Sequence, residues 1–321
     1  MDGKYNIIAY KYNNIANLKT MEGVIMEKVI VTNENDMEMI LHGTTELPIK
    51  VSDESILSYK NNYFNCHWHK EIELTYVYEG EMLYQANNHE TVLSAGDCSF
   101  VNSKALHLGS AIDGKPCHYK VITFNPDLLG VEETAIQKKY VQPILNCNKL
   151  SLYLFKANNV WVNKIVEIIK KIIFIYEEKS PCYEIEITAL LINIWGVFYQ
   201  NTKSILKEEG NNPKSIDYIK NVVTFIHKNF SSKISLEDMA KSANISKSEC
   251  SHSFKRYMKE TPFEYLLRYR VERSMAILLK ENISITEIAL AVGFSNASYY
   301  SEVFKRYVGV TPREYKKLNG H

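Results

Sequence analysis

The sequence predicts an α+β, multidomain protein: a strand-rich N-terminal part with flanking helices, then an all-α C-terminal domain. Three observations predict it. Residues 55–125 alternate polar and apolar side chains, are rich in Tyr, Val and Ile, and break at Glu79-Gly80, Asn87-Asn88, Ala95-Gly96 and Asp113-Gly114. Residues 131–207 change to helical periodicity. Near the C-terminus a segment recurs: FKRYMKETPFEY from Phe254 returns fifty residues on as FKRYVGVTPREY from Phe304. Upstream, ISLEDMAKSANIS from Ile234 returns forty-nine residues on as ISITEIALAVGFS from Ile283.

The chain of 321 residues, 45% hydrophobic and 12% aromatic, is long enough for two or three domains with ordinary cores. The expected division is a strand-rich domain at 1–130, a helical region at 131–206, a linker at 207–213 and a helical domain at 214–321. Residues 1–50 are weakly patterned, and Met21 and Met26 leave a later start open. The N-terminus has no apolar run fit for a signal peptide, and no stretch approaches a membrane span. The six cysteines form no CxxC pair, so neither a disulfide framework nor a zinc cluster is expected; a reducing cytoplasm fits.

The strands of 55–125 are expected to close into a sandwich or barrel. Beyond them, Val160 to Tyr176 and Glu184 to Tyr199 read as two long helices separated at Ser180-Pro181. Their apolar stripe (Ile165, Ile168, Ile169, Ile172, Phe174, Ile192, Ile194 and Trp195) has two readings. It caps the strand-rich domain, or it packs against a second copy of the chain.

Each C-terminal copy reads helix, turn, helix. Ser235 and Ser284 precede helical runs, and Glu287 lies where a capping box needs it. Asn244 and Gly293, the two residue types best suited to positive φ, end the first helices. Ser246 and Ser295 are the expected N-caps of the second helices. Those helices are two-faced: Cys250, Phe254 and Tyr257 against Ser248, Ser251, His252 and Lys255, then Tyr300, Val303, Phe304 and Tyr307 against Ser298, Ser301, Glu302 and Lys305. Thr261-Pro262 and Thr311-Pro312 open a third helix in each copy, with Glu264 and Glu314 closing capping boxes. This is the helix-turn-helix pattern. Residues 213–321 carry net charge +7 and the rest −6, so a basic domain is joined to an acidic one. A basic domain with repeated reading helices points to double-stranded DNA rather than to protein contact alone.

On these residues, and on GFSNASYYSEVFKRYVGVTPREY from Gly293 to Tyr315, the C-terminal part resembles the DNA-binding domain of AraC/XylS transcription regulators. The resemblance implies seven helices, a long linker helix through Arg270, Glu272, Ala276 and Leu279, and two recognition helices in successive major-groove segments. It implies base reading by Ser248, Ser251 and His252 and by Ser298, Ser301 and Glu302. Lys247, Lys255, Arg256, Lys305 and Arg306 would meet phosphates, and Asn296 belongs to the same interface. His252 and Glu302 stand where the family often has Arg. A Glu accepts from cytosine but cannot donate to guanine, so the operator does not follow by analogy.

In the strand-rich part, HWHKEIELTYVYEG places His67, His69, Glu73 and Gly80 at the spacing of the first cupin motif, and Gly96 to His107 fits the second. The domain therefore resembles the cupin-like sensor of AraC-type regulators. Asn61 stands at a usual Gly, Asn102 and Lys104 at a usual Pro and Gly, and Ala111 at a usual Asn. His67, His69, Glu73 and His107 suit a divalent transition metal. Equally, they could hydrogen-bond an organic effector, with Trp68, Tyr76 and Tyr84 stacking on a sugar ring or serving as core.

The reading is a cytoplasmic DNA-binding transcription regulator, not an enzyme, that answers a small-molecule effector of carbohydrate type. The resemblance implies a homodimer, activation rather than repression, and RNA polymerase as partner of an activator. The alternative is a metal-dependent cupin enzyme or metal sensor joined to a DNA-binding domain.

Overall fold

The computed structural model describes residue 38 and residues 42–44, 46–156, 159–207, 214–280 and 283–319. The weakly patterned residues 1–37, with Met21 and Met26, and linker residues 208–213 lie outside these. Contacts divide the chain into two compact units, with the division after residue 212.

The first unit has eight strands among the described residues: β1 (Ile49–Ser55), β2 (Tyr63–His67), β3 (Ile72–Ala86), β4 (His89–Ser94), β5 (Cys98–Val101), β6 (His107–Ala111), β7 (Cys117–Phe124) and β8 (Leu152–Phe155). All pair antiparallel. The fifteen-residue β3 organises them. Its first half pairs with β5 and β7, its second with β4 and β6. The register slips between Val77 and Glu79, and Gly80 follows at φ +78. A Cβ at Gly80 would lie 2.2 Å from the Pro116 carbonyl oxygen, so the bend requires glycine. One bent strand thereby serves two sheets, the cupin-like arrangement.

Helices α1 (Val160–Glu178) and α2 (Tyr183–Lys207) pack on one face of this sheet. Leu74, Phe100 and Phe155 meet Ile165, Ile169 and Ile172 of α1 and Leu191, Ile194 and Phe198 of α2 in one core. Two expectations change here. Leu152–Phe155 is a strand, although the surrounding pattern predicts helix; a four-residue apolar run has no period to read. And Ile165, Ile169, Ile172, Ile194 and Trp195 are buried within this chain, so they are not free to meet a second copy. Only Phe174 and Ile192 of the predicted stripe are exposed.

The second unit has seven helices among the described residues: α3 (Lys214–Asn229), α4 (Leu236–Ser242), α5 (Lys247–Met258), α6 (Pro262–Lys280), α7 (Ile285–Ala291), α8 (Ala297–Val308) and α9 (Pro312–Asn319). Ser235 with Asp238 and Ser284 with Glu287 form full capping boxes. Thr261 with Glu264 and Thr311 with Glu314 do the same for α6 and α9. Asn244 and Gly293 are left-handed, at φ +54 and +89. A Cβ at Gly293 would lie 2.4 Å from the Phe230 carbonyl oxygen and 2.8 Å from Arg270 Nη2. Arg270 uses that closeness, donating to the carbonyls of Phe230 and Ser232.

One cap is corrected. Ser246 caps α5 as expected, but Asn296, not Ser295, caps α8, its Oδ1 accepting from the Tyr299 amide at 2.8 Å. The turn of the second copy is one residue longer, and this is the residue that changes the repeat offset from forty-nine to fifty. Helix α6 is common to both copies. Its Tyr265 ring packs on Phe254, while its Val271 and Leu278 enter the core of Val292 and Phe304.

Candidate functional site

The first site lies where β2 ends and β3 and β6 begin. Pairing sets His67 opposite His107 and Phe64 opposite Gly109. A Cβ at Gly109 would sit 2.5 Å from the Phe64 ring, so glycine lets that ring cross and support the His67 and Tyr84 rings. His67, His69, Glu73 and His107 are all buried.

Each imidazole is oriented by its own backbone. The Nδ1 atoms of His67, His69 and His107 lie 2.9, 3.2 and 2.9 Å from the carbonyl oxygens of Asn65, Glu71 and Ala105. A carbonyl only accepts, so each Nδ1 donates there, and each Nε2 is the ring nitrogen nearest the carboxylates of Glu38 and Glu73. Glu73 Oε1 accepts from Tyr84 Oη at 2.6 Å and Thr75 Oγ1 at 3.0 Å. Its Oε2 stands 3.5 and 3.6 Å from Nε2 of His69 and His107, too far for a strong hydrogen bond. The Nε2 atoms of His69 and His107 are buried with no hydrogen-bond partner.

The electrostatics are divided: burial opposes charge on His107, but its contact with Glu73 raises it above the usual imidazole value. Burial and the adjacent His107 push His67 down to about 3, so it is neutral at physiological pH. Burial opposes ionisation of Glu73, yet its histidine neighbours hold it well below the usual carboxylate range. Burial and Glu73 raise Tyr84 well above the usual phenol value, so its hydroxyl stays a donor.

Buried imidazole nitrogens without hydrogen-bond partners, on rings anchored through Nδ1 to the backbone, are what a metal ligand set requires. Donor nitrogens of His67, His69 and His107 lie within 4.8 Å of one another. Donors at roughly 2.1 Å from an ion lie about 3.0–4.2 Å apart, so the three nitrogens would draw together on binding. The residues fit a first-row divalent ion, which His67, His69, His107 and Glu73 would hold.

The structure brings Tyr84 to these four residues but not Tyr76. Tyr76 faces the helices, packed on their core with Lys170 Nζ 5.5 Å above its ring, and so cannot stack on a ligand in the barrel. Trp68, between two site histidines, is half-buried. Two residues that the sequence reading passed over stand at the site. Glu38 Oε2 lies 3.0 Å from His42 Nε2 and 3.7 Å from His67 Nε2, and the His42 ring is 5.0 Å from that of His69. The spacing Glu-x-x-x-His was their only signal in the sequence. Two motif departures keep the backbone they replace: Asn61 and Lys104 stand at φ +56 and +62, where glycine is usual.

The second site is on α5 and α8. Lys247, Ser248, His252, Lys255 and Arg256 are exposed on α5, with Ser251 half-buried. On α8, Ser298, Glu302, Lys305 and Arg306 are exposed and Ser301 is half-buried, the pattern of Ser248 to Arg256, while Ala297 stands half-buried opposite Lys247 in the alignment. Asn296 spends its Oδ1 on the cap. The Ser301 hydroxyl donates to the Ala297 carbonyl, and Arg306 bridges Glu302 at 3.3 Å.

A barrel with a buried polar site, joined to two helix-turn-helix readers on one shared helix, defines a ligand-responsive, DNA-binding transcription regulator. Residues 55–156 match the AraC-like ligand binding domain and residues 239–318 a helix-turn-helix domain. The chain is 32% identical to the HTH-type transcriptional regulator YdeC of Bacillus subtilis, across 91% of this chain and 99% of that one. It is 26% identical to the raffinose operon transcriptional regulatory protein RafR of Pediococcus pentosaceus, across 76% and 84%. It is 22% identical to the melibiose operon regulatory protein of Escherichia coli, across 79% and 83%. This chain belongs to the AraC family of helix-turn-helix transcriptional regulators.

Proposed function

We propose that this regulator is a cytoplasmic homodimer that activates transcription on binding a carbohydrate. The observation that carries the DNA side is the matched exposure of α5 and α8. Ser248, Ser251 and His252 read one groove segment and Ser298, Ser301 and Glu302 the next, while Lys247, Lys255, Arg256, Lys305 and Arg306 neutralise phosphates. The effector side draws support from the relatives named for raffinose and melibiose operons. Exposed Phe174, Ile185 and Ile192 on α1 and α2 offer an apolar surface to a second copy. An activator of this kind touches RNA polymerase as well as DNA. The test is anisotropy titration of full-length protein on a fragment of its own upstream region. Binding should weaken steeply between about 50 and 200 mM salt and respond to one member of a panel of sugars. Binding that ignores salt removes the DNA reading; binding that ignores every sugar removes the carbohydrate reading.

A second reading, a metal sensor, is favoured by one observation: the buried Nε2 atoms of His69 and His107 have no hydrogen-bond partner. The interior of a protein seldom leaves such groups unmet, and a divalent ion is the smallest occupant that meets both.

A further inference from the structure

We propose that Glu38 and His42, which precede β1, complete the ligand shell of a divalent transition-metal ion centred on His67, His69 and His107, so that the ion fastens this segment onto the barrel. The inference rests on the metal-sensor reading and adds to it two ligands from outside the strand motifs.

Geometry gives the first support. Donor atoms of Glu38, His42 and His69 lie within 4.8 Å of one another, and His69 is shared with the three-histidine set. The two sets are therefore one continuous cluster. Burial gives the second. The side chains of His42 and Glu38 are 8% and 9% exposed, and His42 Nδ1 is buried with no hydrogen-bond partner. With His69 and His107, three imidazoles in this cluster have an unmet buried nitrogen.

Charge gives the third. Among the described residues, the ionic neighbours of Glu38 and Glu73 within 4.0 Å are histidines only. A buried carboxylate needs a cation or hydrogen bonds to offset its desolvation, and a divalent ion would serve both carboxylates at once. Two carboxylates match the charge of one divalent ion, and four imidazoles with two carboxylates form a nitrogen–oxygen set of borderline softness. The Glu38 amide donates to the Trp68 carbonyl at 2.8 Å, which lays the segment beside the two histidines flanking Trp68. Coordination would add a far stronger tie than this hydrogen bond.

The test uses full-length protein stripped by chelator, with Co²⁺ and Zn²⁺ as probes. Affinity is read by competition with a chromophoric chelator, the ligand shell by the Co²⁺ visible spectrum, and the tie by hydrogen exchange across residues 38–44. Wild type should take one ion per chain and gain protection at 38–44. His67→Ala should lose the ion. Glu38→Gln and His42→Gln, checked for an unchanged fold by circular dichroism, should bind at least about tenfold more weakly, alter the Co²⁺ spectrum and lose the protection. Variants that bind as wild type does, with the same spectrum and protection, overturn the inference and leave the metal-sensor reading standing. Wild type that binds neither ion overturns both.

Discussion

The two helix-turn-helix copies share one pattern of burial but differ in residues on both faces. Met239 and Ala240 of the first copy correspond to Ile288 and Ala289 of the second, all buried. Ser253 and Phe254 correspond to Val303 and Phe304, again buried. Cys250 and Tyr300 differ most in size, and the larger residue finds a partner, its hydroxyl donating to Ser274 Oγ at 2.9 Å. On the surface, His252 answers to Glu302; Glu302 bridges Arg306 at 3.3 Å, while His252 Nδ1 lies 3.4 Å from Ser248 Oγ. Packing restrains the inner face of each copy against its neighbours. The outer face is exposed, and Ser248, Ser251, Lys255 and Arg256 recur there as Ser298, Ser301, Lys305 and Arg306.

Substitutions sharpen that comparison. The largest effect belongs to Gly293→Val. It places a branched side chain at φ +89, with Cβ 2.4 Å from a backbone oxygen. The second copy should lose its fold and specific DNA binding should vanish, whereas Asn244→Gly at the equivalent position should change stability by less than about 1 kcal/mol. Equal tolerance of the two changes would show that the copies do not share this turn. Next comes Arg268→Ala. Arg268 is buried and donates to Glu260 at 2.7 Å and Glu272 at 2.8 Å. Its loss strands Glu260 and should cost about 3 kcal/mol in urea unfolding; a cost below 1 kcal/mol would mean that Glu260 escapes to water.

Smaller effects separate the reading faces. His252→Ala and Glu302→Ala should each relax base preference in one half of a selected operator pool, by roughly 1–3 kcal/mol per base pair. Relaxation at the same positions by both variants would contradict separate reading. Glu302→Ala also releases Arg306 from its bridge, so non-specific affinity should rise. Smallest are Lys255→Ala and Lys305→Ala, each lowering the salt slope of binding by about 1 without altering preference. An unchanged slope would remove that lysine from the phosphate contacts.

The sequence disclosed the C-terminal unit almost completely, because its devices are local. Capping boxes, left-handed Asn244 and Gly293, and buried stripes each lie within a few residues. The single slip, Ser295 for Asn296 as cap, arose where the turn lengthens by one residue. The barrel site was half legible. HxH with Glu73 is a local pattern, but the face of each aromatic residue depends on strand parity. Tyr76, three residues from Glu73, falls on the opposite face by alternation. Tyr84, eleven residues away, should do the same. It returns to the side of Glu73 because the bulge between Val77 and Glu79 inserts one residue and reverses parity beyond it. Glu38 and His42 were hidden for another reason: their approach to the barrel is a tertiary event, recorded in no periodicity.

Helix α6 has a consequence for the DNA rather than for the protein. It runs 19 residues, about 28 Å at a rise of 1.5 Å per residue, and packs into the cores of both copies. A helix resists twisting as well as stretching, so the two readers keep one angular relation as well as one spacing. The operator inherits that constraint as phase. Inserting about five base pairs between the two segments turns one of them by half a rotation, away from its reader. Binding would then demand a distortion of the duplex worth several kcal/mol, and inserting a full turn instead would restore the phase while overreaching the length that α6 spans.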